Sequence, residues 1–79
     1  MNMTPRTPRF RISGPKKIRS EPIIHRLSHD CGVVPNILRG RITRKDAWLE
    51  VELAGPRRNI DKALRFLEAR GVSVRRLED

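Results

Sequence analysis

Two histidines, one cysteine and one isolated asparagine carry the clearest chemical potential in this sequence, and their spacing decides what each can do. His25 and His29 stand one helical turn apart, close enough for two imidazoles to meet one metal ion. No third ligand accompanies them, because Asp30 points elsewhere on the same helix and Arg26 occupies the place of the glutamate that a zinc-protease pattern needs. The pair reads as a solvated helix face, and no metal is expected. Cys31 is the single cysteine, which excludes an internal disulfide or a multi-cysteine zinc cluster, and it falls on the apolar side of a helical pattern. No nucleophile stands beside a base and no carboxylate pair has a catalytic spacing, so the residues favour neither an enzyme nor a bound cofactor. Asn36 interrupts the apolar, β-rich run Val33 to Ile42, and two roles fit it. Its amide can offer donors and an acceptor to a ligand, or it can help begin the strand and close a local turn.

A chain of 79 residues supports one domain with a thin core, for which oligomerisation is a natural remedy. So few residues cannot wall a deep cavity, so a small-molecule site is expected in a shallow groove or between two subunits. No segment approaches the roughly 20 apolar residues that span a bilayer, and a cytoplasmic protein without membrane insertion is the expectation. Formal charge is +9, of which the first 20 residues, without an acid, supply +6. That basic arm suits a protein or nucleic-acid interaction module, its anionic partner contacted through Arg9, Arg11, Lys16, Lys17 and Arg19, and suits equally a solvated tail.

The elements that position these residues follow from periodicity. Residues 1–8 hold two Thr-Pro steps and read as a disordered arm. Arg9 to Ser13 alternates as a short strand, with Phe10 and Ile12 on one face, and Gly14-Pro15 stops it. Ser20-Glu21-Pro22 starts a helix whose buried stripe is Ile23, Ile24, Leu27 and Cys31, and Gly32 ends it. Val33 to Ile42 is a strand whose early Pro35 suits an edge, and Trp48 to Leu53 is a cleanly alternating strand. Gly55-Pro56 opens a second helix with Ile60, Ala63, Leu64 and Leu67 buried, Asp61 able to pair with Arg65, and Gly71 as its stop. Val72 to Val74 makes the last strand.

Right-handed crossovers fold this order into a ferredoxin-like βαββαβ sandwich of the α+β class, with two helices on one face of a four-stranded antiparallel sheet. A turn centred on Lys45-Asp46 would pair Ile42 with Leu49, Arg41 with Glu50, Arg39 with Glu52 and Leu38 with Leu53. Leu38 and Ile42 then face inward, while Ile37 is exposed on the open face with the arginines, Glu50, Glu52 and Trp48. The same parity turns Asn36 toward the helices unless a bulge near Pro35 redirects it. The open face reads as a lattice of glutamates flanked by arginines, with Trp48 as its one exposed aromatic platform.

The run Asn36-Ile37-Leu38 resembles the NIL domain, a family called after that tripeptide. Glu21-Pro22-Ile23-Ile24, Arg26-Leu27-Ser28, Gly32-Val33, Asn36 to Ile42, Val51-Glu52-Leu53 and Ala63 to Leu67 follow the family pattern in order. The resemblance covers roughly Phe10 to Leu77, so the chain divides into the arm 1–8 and a NIL domain over 9–79. It implies a ferredoxin-like regulatory domain of the kind found at the C-terminus of methionine ABC transporter ATP-binding subunits. Such domains associate in pairs and bind methionine near the subunit interface. Carried over, Asn36, Ile37 and Leu38 line a site for methionine or a related small amino acid in a homodimer. No phosphate-cradling glycine loop and no iron–sulfur cysteine set is present, so such a regulator would act on a protein partner in trans. The basic arm is not supplied by the family pattern.

Overall fold

Alternation of charged and apolar residues builds the first element. β1 (Arg9–Ser13) buries Phe10 and Ile12 and turns Arg9, Arg11 and Ser13 the other way. There follow α1 (Ile23–Cys31), β2 (Val34–Ile42), β3 (Ala47–Ala54), α2 (Arg57–Ala69) and β4 (Ser73–Arg76). The structure, a computed structural model, describes residues 7–14 and 22–77. Its four strands pair antiparallel in the order β2-β3-β1-β4, and both helices pack on one face. This is the ferredoxin-like sandwich that the element order predicts.

The helices dock by the expected stripes. Ile23, Leu27 and Cys31 of α1 and Ala63 and Leu67 of α2 are buried against Phe10, Ile12, Val51 and Leu53 of the two central strands. α1 begins after Pro22 with no side-chain cap, and Ser20 and Glu21, the expected start signals, lie outside the described residues. Gly32 ends α1 at φ 72, a left-handed conformation that costs glycine little, and its carbonyl accepts a 3.1 Å bond from Asn59 Nδ2 of α2. Both helices therefore meet at the point where the chain enters β2. The expected Asp61–Arg65 pair does not form; Asp61 has no ion-pair partner among the described residues.

The β2–β3 hairpin corrects the expected register by two residues. Ile42 lies opposite Ala47, Arg41 opposite Trp48, Gly40 opposite Leu49 and Arg39 opposite Glu50. Thr43 causes the shift: its hydroxyl accepts the N–H of Asp46 at 2.9 Å and of Lys45 at 3.2 Å, so Thr43 and Asp46 close the turn. Thr43 N–H also donates to Asp46 O at 2.7 Å. Beyond Arg39 a bulge at Leu38 changes the phase again, placing Ile37 opposite Val51 and Asn36 opposite Glu52. The expected inward Leu38 and open-face Ile37 are thus overturned. Ile37 shares the helix-facing side with Val51, and Asn36 stands on the open face; the bulge that redirects it lies at Leu38 rather than Pro35.

Gly40 is fixed by this packing. A Cβ there would run into the Leu49 side chain and lie 3.0 Å from Trp48 O.

Candidate functional site

Two surfaces converge on β3, the strand that the open face is built around. Glu50 is the buried polar residue of the described core, only 7% exposed although it points away from the helices. It remains charged because two guanidiniums enclose it. Arg39 Nε donates to Oε1 at 2.7 Å, and Arg11 donates to Oε2 from Nε at 3.0 Å and from Nη2 at 2.6 Å. The Arg39 bond, then the Arg11 bonds, hold the Glu50 carboxyl below the usual carboxylate range, and Glu50 in turn raises Arg39. One carboxylate thereby links β2, β3 and β1.

Arg11 also lies over the Trp48 ring, 4.3 Å from its centroid. Trp48 is half-buried beneath it and is not the exposed platform expected from the sequence. A second row crosses the same face, where Arg9 Nε donates to Glu52 Oε2 at 3.1 Å and Asn36 Nδ2 donates to Glu52 Oε1 at 3.4 Å. Of the five residues expected to contact anions, Arg9 and Arg11 are thus engaged with glutamates, while Lys16, Lys17 and Arg19 lie outside the described residues.

The other surface is the edge strand. Val34, Ile37, Leu38 and Ile42 of β2 are 67%, 50%, 42% and 58% exposed, and they are the exposed large apolar side chains of the described residues. Asn36 belongs to the same strand but faces the open side, opposite to Ile37, with an amide only partly engaged by Glu52. A hollow of about 610 Å³ lies at the other side of the sheet, beside the start of α2, lined by Phe10, Leu53, Ile60, Asp61, Leu64 and Arg76 among others. Asn36, Ile37 and Leu38 do not line it, so within one chain they occupy an open edge without walls.

The two histidines lie side by side on α1. Their rings stack with centroids 5.7 Å apart, and among the described residues no group of three or more potential ligands is assembled. His29 Nδ1 lies 2.9 Å from Asp30 Oδ1, and Arg26 Nε donates to Asp30 Oδ2 at 2.7 Å. These two bonds, the histidine's first, bring the Asp30 carboxyl down to about 2. Burial raises the Cys31 thiol above its ordinary value, as befits a core residue rather than a nucleophile.

Comparison with known proteins now settles the family. The model of the NIL domain matches residues 8–76. The chain belongs to the NIL domain family. An uncharacterized protein of Synechococcus elongatus is 31% identical over 71 residues, covering 86% of this chain and 88% of its own length. Among solved structures, the C-terminal domain of an ABC transporter ATP-binding protein from Enterococcus faecalis superposes with a TM-score of 0.80 at 21% identity, covering 92% of this chain and 86% of that one. The likeness to that neighbour is one of fold. Membership makes the chain a module of a regulatory domain family, and no described helix is long and apolar enough to cross a membrane.

Sequence reasoning missed the other edge of the open face. Arg75 lies directly opposite Arg11, and Ser73 opposite Ser13. The alternation of the last strand was legible, but its pairing partner emerges only from the register of β1 with β4.

Proposed function

We propose that this NIL domain is a non-enzymatic regulatory module that binds a small amino acid, methionine or a close relative, at the interface of a homodimer. The observation that carries the reading is the state of β2: the Asn36-Ile37-Leu38 tripeptide sits on a bulged outer strand with its apolar side chains uncovered. Such an edge offers unpaired backbone groups and apolar area to a second copy, which would supply the walls that one chain lacks. Asn36 retains a carbonyl oxygen and an N–H on the open face for the charged ends of an amino acid, while Ile37 on the helix-facing side and Leu38 at the bulge suit a thioether chain that wraps round the edge. The module acts on a protein partner; the transporter origin of the Enterococcus faecalis fold neighbour makes an ATP-driven transporter the first class of partner to test.

Titration calorimetry with methionine tests the ligand. Saturable heat, weakened by Asn36→Ala, is the expected result; no heat at millimolar methionine removes this ligand, and unchanged affinity in the variant returns Asn36 to a purely structural role. Sedimentation analysis tests the pair, which a strictly monomeric protein at high concentration would refute. The other reading, binding of nucleic acid through the basic arm, would give salt-sensitive affinity that disappears with residues 1–19. The pairing of Arg9 with Glu52 and the Asp46 carboxylate beside the open face argue against a polyanionic strand lying across the sheet.

A further inference from the structure

On the open face, at the seam of β1 and β4, Arg11 stands opposite Arg75 and Ser13 opposite Ser73. Residues two apart on a strand share a face, so these four residues mark the corners of a square on the open face, two bearing guanidiniums and two bearing hydroxyls. Like charges directly opposite one another destabilise a sheet. The arrangement calls for a further counter-charge, which the described residues do not supply. Glu50 lies on the far side of Arg11 and is already held by Arg11 and Arg39, and Arg75 has no ion-pair partner among the described residues. Neither serine hydroxyl has a hydrogen-bond partner there either. Arg11 engages Glu50 through Nε and Nη2, which leaves its Nη1 group available. A hollow of about 250 Å³ opens at this place, lined by Arg11, Ser13, Ser73, Val74 and Arg75.

We infer that this square is a binding site for a tetrahedral oxyanion, a phosphate or sulfate group, held between the Arg11 and Arg75 guanidiniums with the Ser13 and Ser73 hydroxyls donating to it. The Arg75 fork, the available Nη1 group of Arg11 and two hydroxyls supply more donors than a planar carboxylate can accept at once, and they match a head with three free oxygens. Glu50 has a positioning role here, because it fixes the Arg11 guanidinium while leaving part of it available. A second hollow of about 330 Å³ continues past Ser13 and Ser73, lined also by Asp46 and Trp48. The Asp46 carboxylate repels a second anionic group. The ligand is therefore a small phosphorylated or sulfated molecule whose remainder is uncharged or cationic, and not a polyanionic strand.

The test is NMR titration of the full chain at fixed ionic strength, following the amides of Ser13, Ser73 and Arg75. The probes are inorganic phosphate, sulfate, O-phosphoethanolamine and phosphoglycolate. Saturation localised to the seam is expected, with phosphoethanolamine binding at least as well as phosphate or sulfate and phosphoglycolate binding less well. Saturation by the inorganic ions but not by phosphoethanolamine would assign the site to the free ion and overturn the organic ligand. Arg75→Gln, on an exposed edge, should weaken binding by about tenfold or more, the size expected for a lost charge-assisted contact, and Ser73→Ala by about threefold. Arg65→Gln removes one charge from the outer face of α2 and should change affinity less than about twofold. Equal losses in Arg75→Gln and Arg65→Gln would mean a general attraction to a +9 chain, and absence of saturation would mean no site; either result overturns the inference. Asn36→Ala should leave oxyanion binding intact, so this test and the methionine test fail independently.

Discussion

The sheet ends in two unlike strands. β2 is nine residues long and presents Val34, Ile37, Leu38 and Ile42 to solvent, whereas β4 has four residues, Ser73–Arg76, two of them arginines. A long apolar edge invites pairing with another chain; a short charged one discourages it. A chain sticky at both edges would join head to tail into open filaments, while one sticky at a single edge can close only with its own copy about a twofold axis. The contrast therefore supports a closed pair formed through β2, with β4 left free for a small anionic ligand. The two proposed sites occupy opposite ends of one sheet and do not compete.

The comparison is broken most directly by charging the apolar edge. Ile37→Lys should raise the dimer dissociation constant by about thirtyfold or more, the scale of losing one interface anchor, whereas Arg75→Gln at the other edge should leave sedimentation unchanged. Equal behaviour of the two variants would end the distinction between edges.

Next comes the bond network that holds β2 to the sheet. Glu50→Gln removes the carboxylate shared by Arg39 and Arg11, so the urea midpoint at neutral pH should fall. Because the folded carboxyl titrates below its ordinary value of 4.5, its contribution is complete above that pH and is lost as pH falls through the lowered folded value. The wild type should therefore lose stability in acid more steeply than Glu50→Gln over that interval. Parallel pH profiles would assign the acid sensitivity elsewhere, Asp30 being the other candidate at about 2.

Gly40→Ala sharpens the role of packing at the edge. The added methyl meets Leu49 and Trp48 O, and overpacking of this kind costs about 1–3 kcal/mol in chemical denaturation. Asn59→Ala should be smallest, at roughly 0.5–1.5 kcal/mol, for the loss of its bond to Gly32 O where the chain enters β2. Hydrogen exchange should then quicken near Val33 and Val34 before it does in β1.

Much of this architecture was legible in residue order, and the misses have local causes. The bounds of β1, the apolar stripes of both helices and the glycine stops at Gly32 and Gly71 follow from periodicity and backbone freedom. The hairpin register did not, because Thr43 is a turn former through its hydroxyl and a turn centred one residue late displaces every pair by two. A shift by two preserves facing, so the arginines stayed on the open face. The bulge shifts by one, which is why Ile37 and Asn36 exchanged sides. Gly40 is the irregularity visible in the sequence of that strand, but it marks the close approach of Leu49 rather than the bulge itself. The oxyanion square was hidden for another reason: its members come from the first and last strands, and nothing local to either announces the other.

The bulge has a further consequence for how the family tripeptide can change. Residues 34–37 pair with 54–51 and residues 39–42 with 50–47, so all eight residues of β3 are matched and Leu38 alone has no opposite number. Leu38 thus acts as a spacer between two independently phased half-strands. Deleting it would let β2 run one-for-one along β3 without moving either half, whereas closing the bulge by deleting a residue farther along the strand would reverse the facing of the residues between that point and Leu38. A one-residue shortening of this edge is therefore absorbed most simply at the bulge, inside the tripeptide.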